Sequence, residues 1–299
     1  YYFSSMKNIN VIISTRKNKY IFPGNEKVKI FETNWDSNKS FNKSINEIDT
    51  IIHLISINSI NSKINPKTSL KTTNKITSNI LKFAVKNNVK KIIYFSSAHV
   101  YSSSLNGNIH ESTPTRNIHP YAINHLNSEK LILDYHNKGL IEGIVLRLSN
   151  AFGPPLDLNS DCWMLFLNDI CKQAVLNNII NLKSSGNQIR DFITISDVCR
   201  ATYHISKKKF KKTNNTIFNL GGEMGITLFQ LLEIFNKEYY KLSGLYPKLI
   251  KSDSEKSINN SDLDYSIEKI KKTGFKLSSD IKFEIQNLIK FCIDNFKNK

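Results

Sequence analysis

The chain has 299 residues, of which 40% are hydrophobic and 22% charged, enough to bury the core of one large domain or two modest ones. No run approaches the roughly 18 apolar residues that a membrane span requires, and the opening "YYFSSMKNINVIISTRK" has neither the apolar centre nor the small-residue cleavage site of a secretory leader, so a soluble cytoplasmic protein is expected. Lys plus Arg number 42 against 25 Asp plus Glu, a net charge of +17, but the excess is lysine scattered among Asn and Ile, as an AT-rich coding bias would produce, and no basic run is interleaved with the aromatics that would make a nucleic-acid surface.

Along the chain, "NVIISTRK" (Asn10 to Lys17) reads as a buried strand and "KVKIFETN" as a second. "DTIIHLIS" (Asp49 to Ser56) reads as a third, preceded by a helix over "SFNKSINEI". A long helix then begins near Pro66, with Ile76, Ile80, Leu81 and Ala84 at helical spacing. "KKIIYFSS" is a fourth strand, a helix follows Tyr121, and "GIVLRLSN" (Gly143 to Asn150) is a fifth strand. Apolar strands alternating with helix-length segments predict βαβ units and an α/β, doubly wound parallel sheet covered on both faces. Ligands of such sheets bind outside the carboxyl ends of the strands, which places Ser14 to Arg16, His53 to Ser56, Ser96 to His99 and Ser149 to Asn150 on one rim. Beyond Phe152 "GPP" breaks the chain and the strands shorten, so residues 1–150 are expected to form the sheet domain and 151–299 a smaller mixed lobe, with some segments returning to the sheet. The stretch Lys251 to Asp262 is the most loop-like. Cys162, Cys171, Cys199 and Cys292 have no metal-binding spacing and read as free thiols.

"FSSAHVYS" and "HPYAINH" carry the chemistry. A tyrosine of pKa about 10 becomes a useful base at neutral pH only beside a cation; a unit charge about 4 Å away is worth roughly 4 kcal/mol at an effective dielectric near 20, about three pKa units. A serine hydroxyl beside that tyrosine can share the proton of a substrate oxygen. In order, "DTIIHLIS", "IIYFSSAHVYS", "YAINH" followed by "SEKLI", "VLRLSNAFGPP", "GNQIRDFITISDVCRA" and "FNLGGEMGITL" resemble the extended short-chain dehydrogenase/reductase family of nucleotide-sugar epimerases and dehydratases, from the first strand nearly to the C-terminus.

That resemblance implies a Rossmann-like sheet, an NAD or NADP cofactor and a nucleotide-sugar substrate for surface polysaccharide synthesis. It places Ser97 and Tyr121 at the catalytic positions and His125 where the family's YxxxK has lysine. His125 keeps the helical spacing, but a group of pKa near 6.5 is only partly cationic at pH 7, a fraction that a neighbouring tyrosinate would raise. Cofactor contacts are expected at Arg16, Trp35, Asp36, Leu54, Ile55, Ser56, Tyr121 and His125. The strand-end Ser14, Thr15 and Arg16, without an acidic residue, lean towards NADP. Substrate contacts are expected at Ser97, His99, Asn150 and Arg190, the last among only five arginines and suited to a diphosphate. Ala98 and His99 stand where dehydratases of the family carry acidic residues, which favours epimerisation or keto reduction. Asp197 reads as a helix N-cap. The family's G-x-x-G-x-x-G loop does not occur in the sequence; residues 1–7 read as the end of the helix that should follow it, so the chain is expected to be an N-terminally incomplete piece. Homodimerisation through the two helices flanking the sheet is a further implication. The competing expectation is a non-catalytic nucleotide- or RNA-binding paralogue of the same fold.

Overall fold

The computed structural model describes residues 2–16, 27–35, 48–251 and 262–297. Asp36, almost all of the helix expected over 40–48 and the interior of the loop-like stretch lie outside the described residues. In chain order the elements are β1 (Val11–Thr15), β2 (Val28–Glu32), β3 (Thr50–His53), α1 (Ser59–Ile64), α2 (Pro66–Lys86), β4 (Lys91–Ser97), β5 (Gly107–Ile109), α3 (Pro120–Asn137) and β6 (Glu142–Leu148). They continue with β7 (Asn150–Phe152), α4 (Phe166–Asn177), β8 (Ile179–Leu182), β9 (Ile189–Thr194), α5 (Ile195–Lys207), β10 (Ile217–Leu220), β11 (Gly225–Thr227), α6 (Leu228–Ser243), β12 (Lys248–Lys251), β13 (Leu263–Tyr265), α7 (Glu268–Lys271) and α8 (Ile281–Cys292). They form two units that interleave in sequence: 1–103, 114–147 and 202–218 in the first, 104–113, 148–201 and 219–299 in the second.

In the first unit β1 and β2 pair in parallel, with Ile13 opposite Ile30. β3 and β4 also pair in parallel, with Ile51 opposite Ile92, within a four-stranded sheet of order β10-β6-β4-β3. The continuous apolar run of β4 is buried almost end to end, as a strand covered on both faces must be. Pro66 opens α2 at a position whose missing N–H would be unpaired anyway. Ile76, Ile80, Leu81 and Ala84 of α2 meet Ile132 of α3 and Ile92, Tyr94 and Val145 of the sheet in one core. Truncating the fully buried Leu81 to alanine would cost about 2–5 kcal/mol. At the start of β4 the buried Lys91 Nζ is held by the carbonyls of Ile205, Ser206 and Lys208 and by Glu142. A cation there satisfies the orphan carbonyls at the end of α5 and fastens residues 202–218 to the sheet.

The second unit has β9 between a parallel neighbour, β7, and an antiparallel one, β11, with two further parallel pairs, β8 with β12 and β5 with β13. Helices α4, α6 and α8 bury Leu167, Leu231, Phe235, Ile285 and Leu288 in its core. Helix α6 starts and stops where its sequence directs: Thr227 and Gln230 form a reciprocal capping box, and Gly244 ends it at φ 71°. All four thiols are free. Cys171 and Cys292, distant in sequence, touch in this core, where burial pushes the Cys171 thiol up.

Two local expectations are corrected. The N-cap expected at Asp197 is Thr194, whose Oγ1 accepts the Asp197 N–H at 3.1 Å. Asp197 sits in the first turn, where its carboxylate accepts the Thr194 hydroxyl and pairs with Arg200; "TISD" is the Thr-x-x-acid form of a capping box. Residues 2–7, the described part of the stretch 1–7 read as the end of a helix, form turns and a bend, with Ser5 Oγ bonded to the Tyr2 carbonyl at 2.8 Å, the local competition by which serine disfavours helix.

Candidate active site

Helix α3 begins where "HPYAINH" says it should. His119 is extended and accepts the Tyr121 N–H on its Nδ1 at 3.2 Å, and Pro120 takes the first helical position. Tyr121 is thereby fixed in the first turn, and His125 lies one turn on with its ring edge-on to the Tyr121 ring, centroids 4.5 Å apart. β4 ends at Ser97, whose Oγ accepts the His99 N–H at 3.2 Å, a strand-end cap. The Ser97 side chain is also near enough to the Tyr121 phenol to favour its ionised form. The structure thus brings Ser97, Tyr121 and His125 together in the first unit, while His99 faces solvent beside them.

The electrostatics differ from a lysine-bearing site. Burial lowers the His125 pKa to about 3, with His53 and His99 adding to the shift. Its Nδ1 lies 2.7 Å from the Tyr94 hydroxyl and its Nε2 3.1 Å from Ser56 Oγ. The partly cationic His125 expected from its free pKa is therefore corrected to a neutral imidazole between two hydroxyls. Tyr121 is half-buried; burial raises its pKa, and Ser97 pulls in the opposite direction. The resting pair is a neutral phenol beside a neutral imidazole.

Next to Ser97, Ser96 Oγ donates to Glu129 at 2.5 Å. Glu129 is also bound in a fork by Arg147, at 3.0 and 2.7 Å, and the Arg147 guanidinium lies 4.8 Å over the Tyr101 ring. Glu129, fully engaged by these partners, is a structural carboxylate. Neither it, nor Tyr94, nor Arg147 stood out in the sequence; a glutamate on the apolar side of "NHLNSEKLIL" was the available signal.

Of the expected cofactor residues in this unit, Arg16 and Trp35 lie together after β1 and β2: the guanidinium is 5.8 Å from the indole, and Trp35 Nε1 donates to Ser14 Oγ at 2.8 Å. Asn79 of α2 holds the Trp35 carbonyl at 2.9 Å. After β3, Leu54 is 65% exposed, whereas Ile55 is half-buried against the core and Ser56 reaches His125. In the second unit Asn150 on β7 donates to the Asp191 carbonyl at 2.8 Å, and Arg190 is exposed on β9 opposite Ile226. Asp191 is buried, and its carboxylate accepts the Gly222 N–H at 2.9 and 3.0 Å; burial pushes its pKa up to about 7. "GG" is required there, because a Cβ on Gly222 would lie 1.9 Å from the Phe192 carbonyl oxygen.

Ser97 and Tyr121 thus lie at the carboxyl end of a buried strand of a Rossmann-type parallel sheet, where ligands of such sheets bind. The model of the NAD dependent epimerase/dehydratase family matches residues 5–221, and the chain belongs to that family. It is 26% identical to a putative UDP-glucose 4-epimerase of Methanocaldococcus jannaschii, over 86% of this chain and 82% of that protein. It is 25% identical to the human dTDP-D-glucose 4,6-dehydratase, over 70% of this chain but only 58% of that protein, less than two thirds of its length. The UDP-glucose 4-epimerase of Thermotoga maritima, solved with UDP-glucose, shares the fold at TM-score 0.79 and 20% identity, over 94% of this chain and 90% of that one. No helix among the described residues is long and apolar enough to cross a membrane.

Proposed function

We propose that this protein is an NAD(P)-dependent epimerase or keto reductase of a nucleotide-activated sugar, with Tyr121 exchanging the proton of the reacting sugar hydroxyl and Ser97 as its hydrogen-bonding partner. The proximity of Ser97 to Tyr121 carries this reading. A Ser97 hydroxyl that donates to the phenol oxygen would leave the Tyr121 proton to face a substrate oxygen. Ala98 is buried and His99 is no carboxylic acid, so the positions after Ser97 offer no acid to expel water, which favours epimerisation or reduction over dehydration.

The residues present fit a dinucleotide at two places. Exposed Leu54 offers an apolar surface to a flat ring, and Ser14, Thr15 and Arg16 offer hydroxyls and a cation at the end of β1 in a donor set without an acidic residue, which supports a 2′-phosphate and hence NADP. Trp35 and the backbone of Ile55 and Ser56 would line the same path. When bound, the nicotinamide would supply the hydride acceptor and donor. Asn150 and Arg190 are assigned to the diphosphate of the substrate, an amide and a guanidinium fork suited to that anion.

The test is turnover of UDP- and dTDP-hexoses with NAD and NADP, read as epimer or alcohol formation by NMR. Tyr121→Phe should lower turnover by about 10²–10⁴-fold, the usual contribution of a proton-transfer group, with dinucleotide binding retained. Turnover at the wild-type rate in Tyr121→Phe refutes the assignment.

A further inference from the structure

We propose that Tyr94 is a positioning residue of this site: its hydroxyl donates to Nδ1 of His125 and holds the imidazole in the neutral tautomer that carries its proton on Nε2. The inference deepens the reading of Ser97, Tyr121 and His125 as the active site and rests on it. It follows from tracing each proton from a backbone group whose role is fixed.

On one side, the Ser56 hydroxyl points to the Ile57 carbonyl at 3.4 Å, and a carbonyl only accepts. With its proton turned to that carbonyl, Ser56 accepts from His125 Nε2, 3.1 Å away. Nε2 then bears the proton, and in a neutral imidazole Nδ1 must accept. Its partner is the Tyr94 hydroxyl at 2.7 Å, a normal length for a hydroxyl donor. On the other side, the Ile55 N–H points at His53 Nδ1 at 3.3 Å, so His53 carries its proton on Nε2 and donates it to Thr77 Oγ1 at 3.1 Å. Thr77 in turn reaches Ser128 at 3.1 Å, and Ser128 lies near the Tyr94 phenol. With Ser128 donating to that phenol, this arm has the same polarity at Tyr94 as the first, and both start on the backbone of residues 55–57. Reversing the His125 tautomer would require Ser56 to turn its proton from the Ile57 carbonyl to Nε2 and Tyr94 to give up its donor role at Nδ1.

The groups that face His125 agree with this polarity. His53 and His99 disfavour a charge on it, Tyr121 presents its ring, and burial keeps Tyr94 protonated and available as the donor. One turn after Tyr121 the site therefore holds a neutral imidazole whose N–H is taken up by Ser56, and Tyr121 gains no positive charge from it.

Long-range proton–nitrogen NMR of the full chain labelled with ¹⁵N-histidine tests this, with the His125 signals assigned by their loss in His125→Asn. Wild-type protein should show His125 as a single Nε2–H tautomer, unchanged between pH 7 and 5.5. In Tyr94→Phe the ring nitrogens should shift towards an average of the two tautomers. A protonated ring or an Nδ1–H tautomer in the wild type at pH 7 overturns the proposal, as does an unchanged tautomer in Tyr94→Phe; if that variant does not fold, the wild-type spectrum decides. An inert Tyr121→Phe substitution would remove the active-site reading and leave the tautomer result standing.

Discussion

Replacing Arg147 by methionine strands a carboxylate in the interior, and the cost can be worked out. Glu129 and Arg147 are 3% and 4% exposed, so Arg147→Met removes the cation and both of its bonds while roughly filling the space. Leaving one partner of a buried pair costs about 3–5 kcal/mol, and losing the stacking on Tyr101 adds about 1 kcal/mol. Urea unfolding of wild type, Arg147→Met and the Glu129→Gln/Arg147→Met double variant at neutral pH measures this. The single variant should lose about 4–6 kcal/mol, while the double variant recovers most of the loss. A single-variant loss below about 1 kcal/mol, or a double variant no more stable than the single one, refutes the reasoning.

The glycine pair gives a sharper contrast. Gly222→Ala should lower the melting temperature by several degrees, because its Cβ would meet the Phe192 carbonyl oxygen at 1.9 Å, whereas Gly244→Ala, at φ +71° but with nothing within 4 Å, should cost only about 1 kcal/mol; equal melting temperatures for the two would contradict the packing argument. Acid should weaken the first unit through its buried histidines. His53 falls to about 4 and His125 to about 3, below the unfolded value of about 6.5, so between about pH 6.5 and 4 the unfolded chain binds protons that the native state refuses. Each histidine then removes up to about 1.4 kcal/mol of stability per pH unit across that window. Comparing urea midpoints of wild type and His53→Gln from pH 7 to 5 checks it: the variant should show the shallower decline, and parallel declines would count against a neutral buried His53. Asp191 of the second unit acts in the opposite sense. Its folded pKa near 7 lies above its ordinary value, so its contribution improves as the pH falls from 7 towards 4 and opposes the histidines, and Asp191→Asn should make the loss of stability with acid steeper in thermal melts.

Much of the architecture was legible in the residues because it depends on local periodicity. The apolar runs became β1, β2, β3, β4 and β6, and Pro66, Thr227 and Gly244 mark helix ends with chemistry visible in one dimension. The positions of Ser97, Tyr121 and His125 were legible for the same reason, since a strand end and a single helical turn bring them together. The charge state of His125 was not. It depends on burial by distant segments and on His53 and His99, and the hydroxyls that flank the ring, Tyr94 and Ser56, lie 31 and 69 residues away in the chain. The pairing of Glu129 with Arg147 and the contact of Cys171 with Cys292 were hidden similarly, because burial and partnership arise only when distant segments pack.

The return of residues 202–218 to the first unit has a consequence for biosynthesis. A ribosome releases 104–113 and 148–201, which belong to the second unit, before it releases the stretch that completes the first. Until then the edge of β6 that β10 covers is open, and Lys91 lacks the carbonyls that hold its ammonium. Domains that fold in the order of their synthesis avoid that interval. Here the nascent chain passes through it with an unpaired strand edge, the kind of surface to which chaperones and aggregation partners bind.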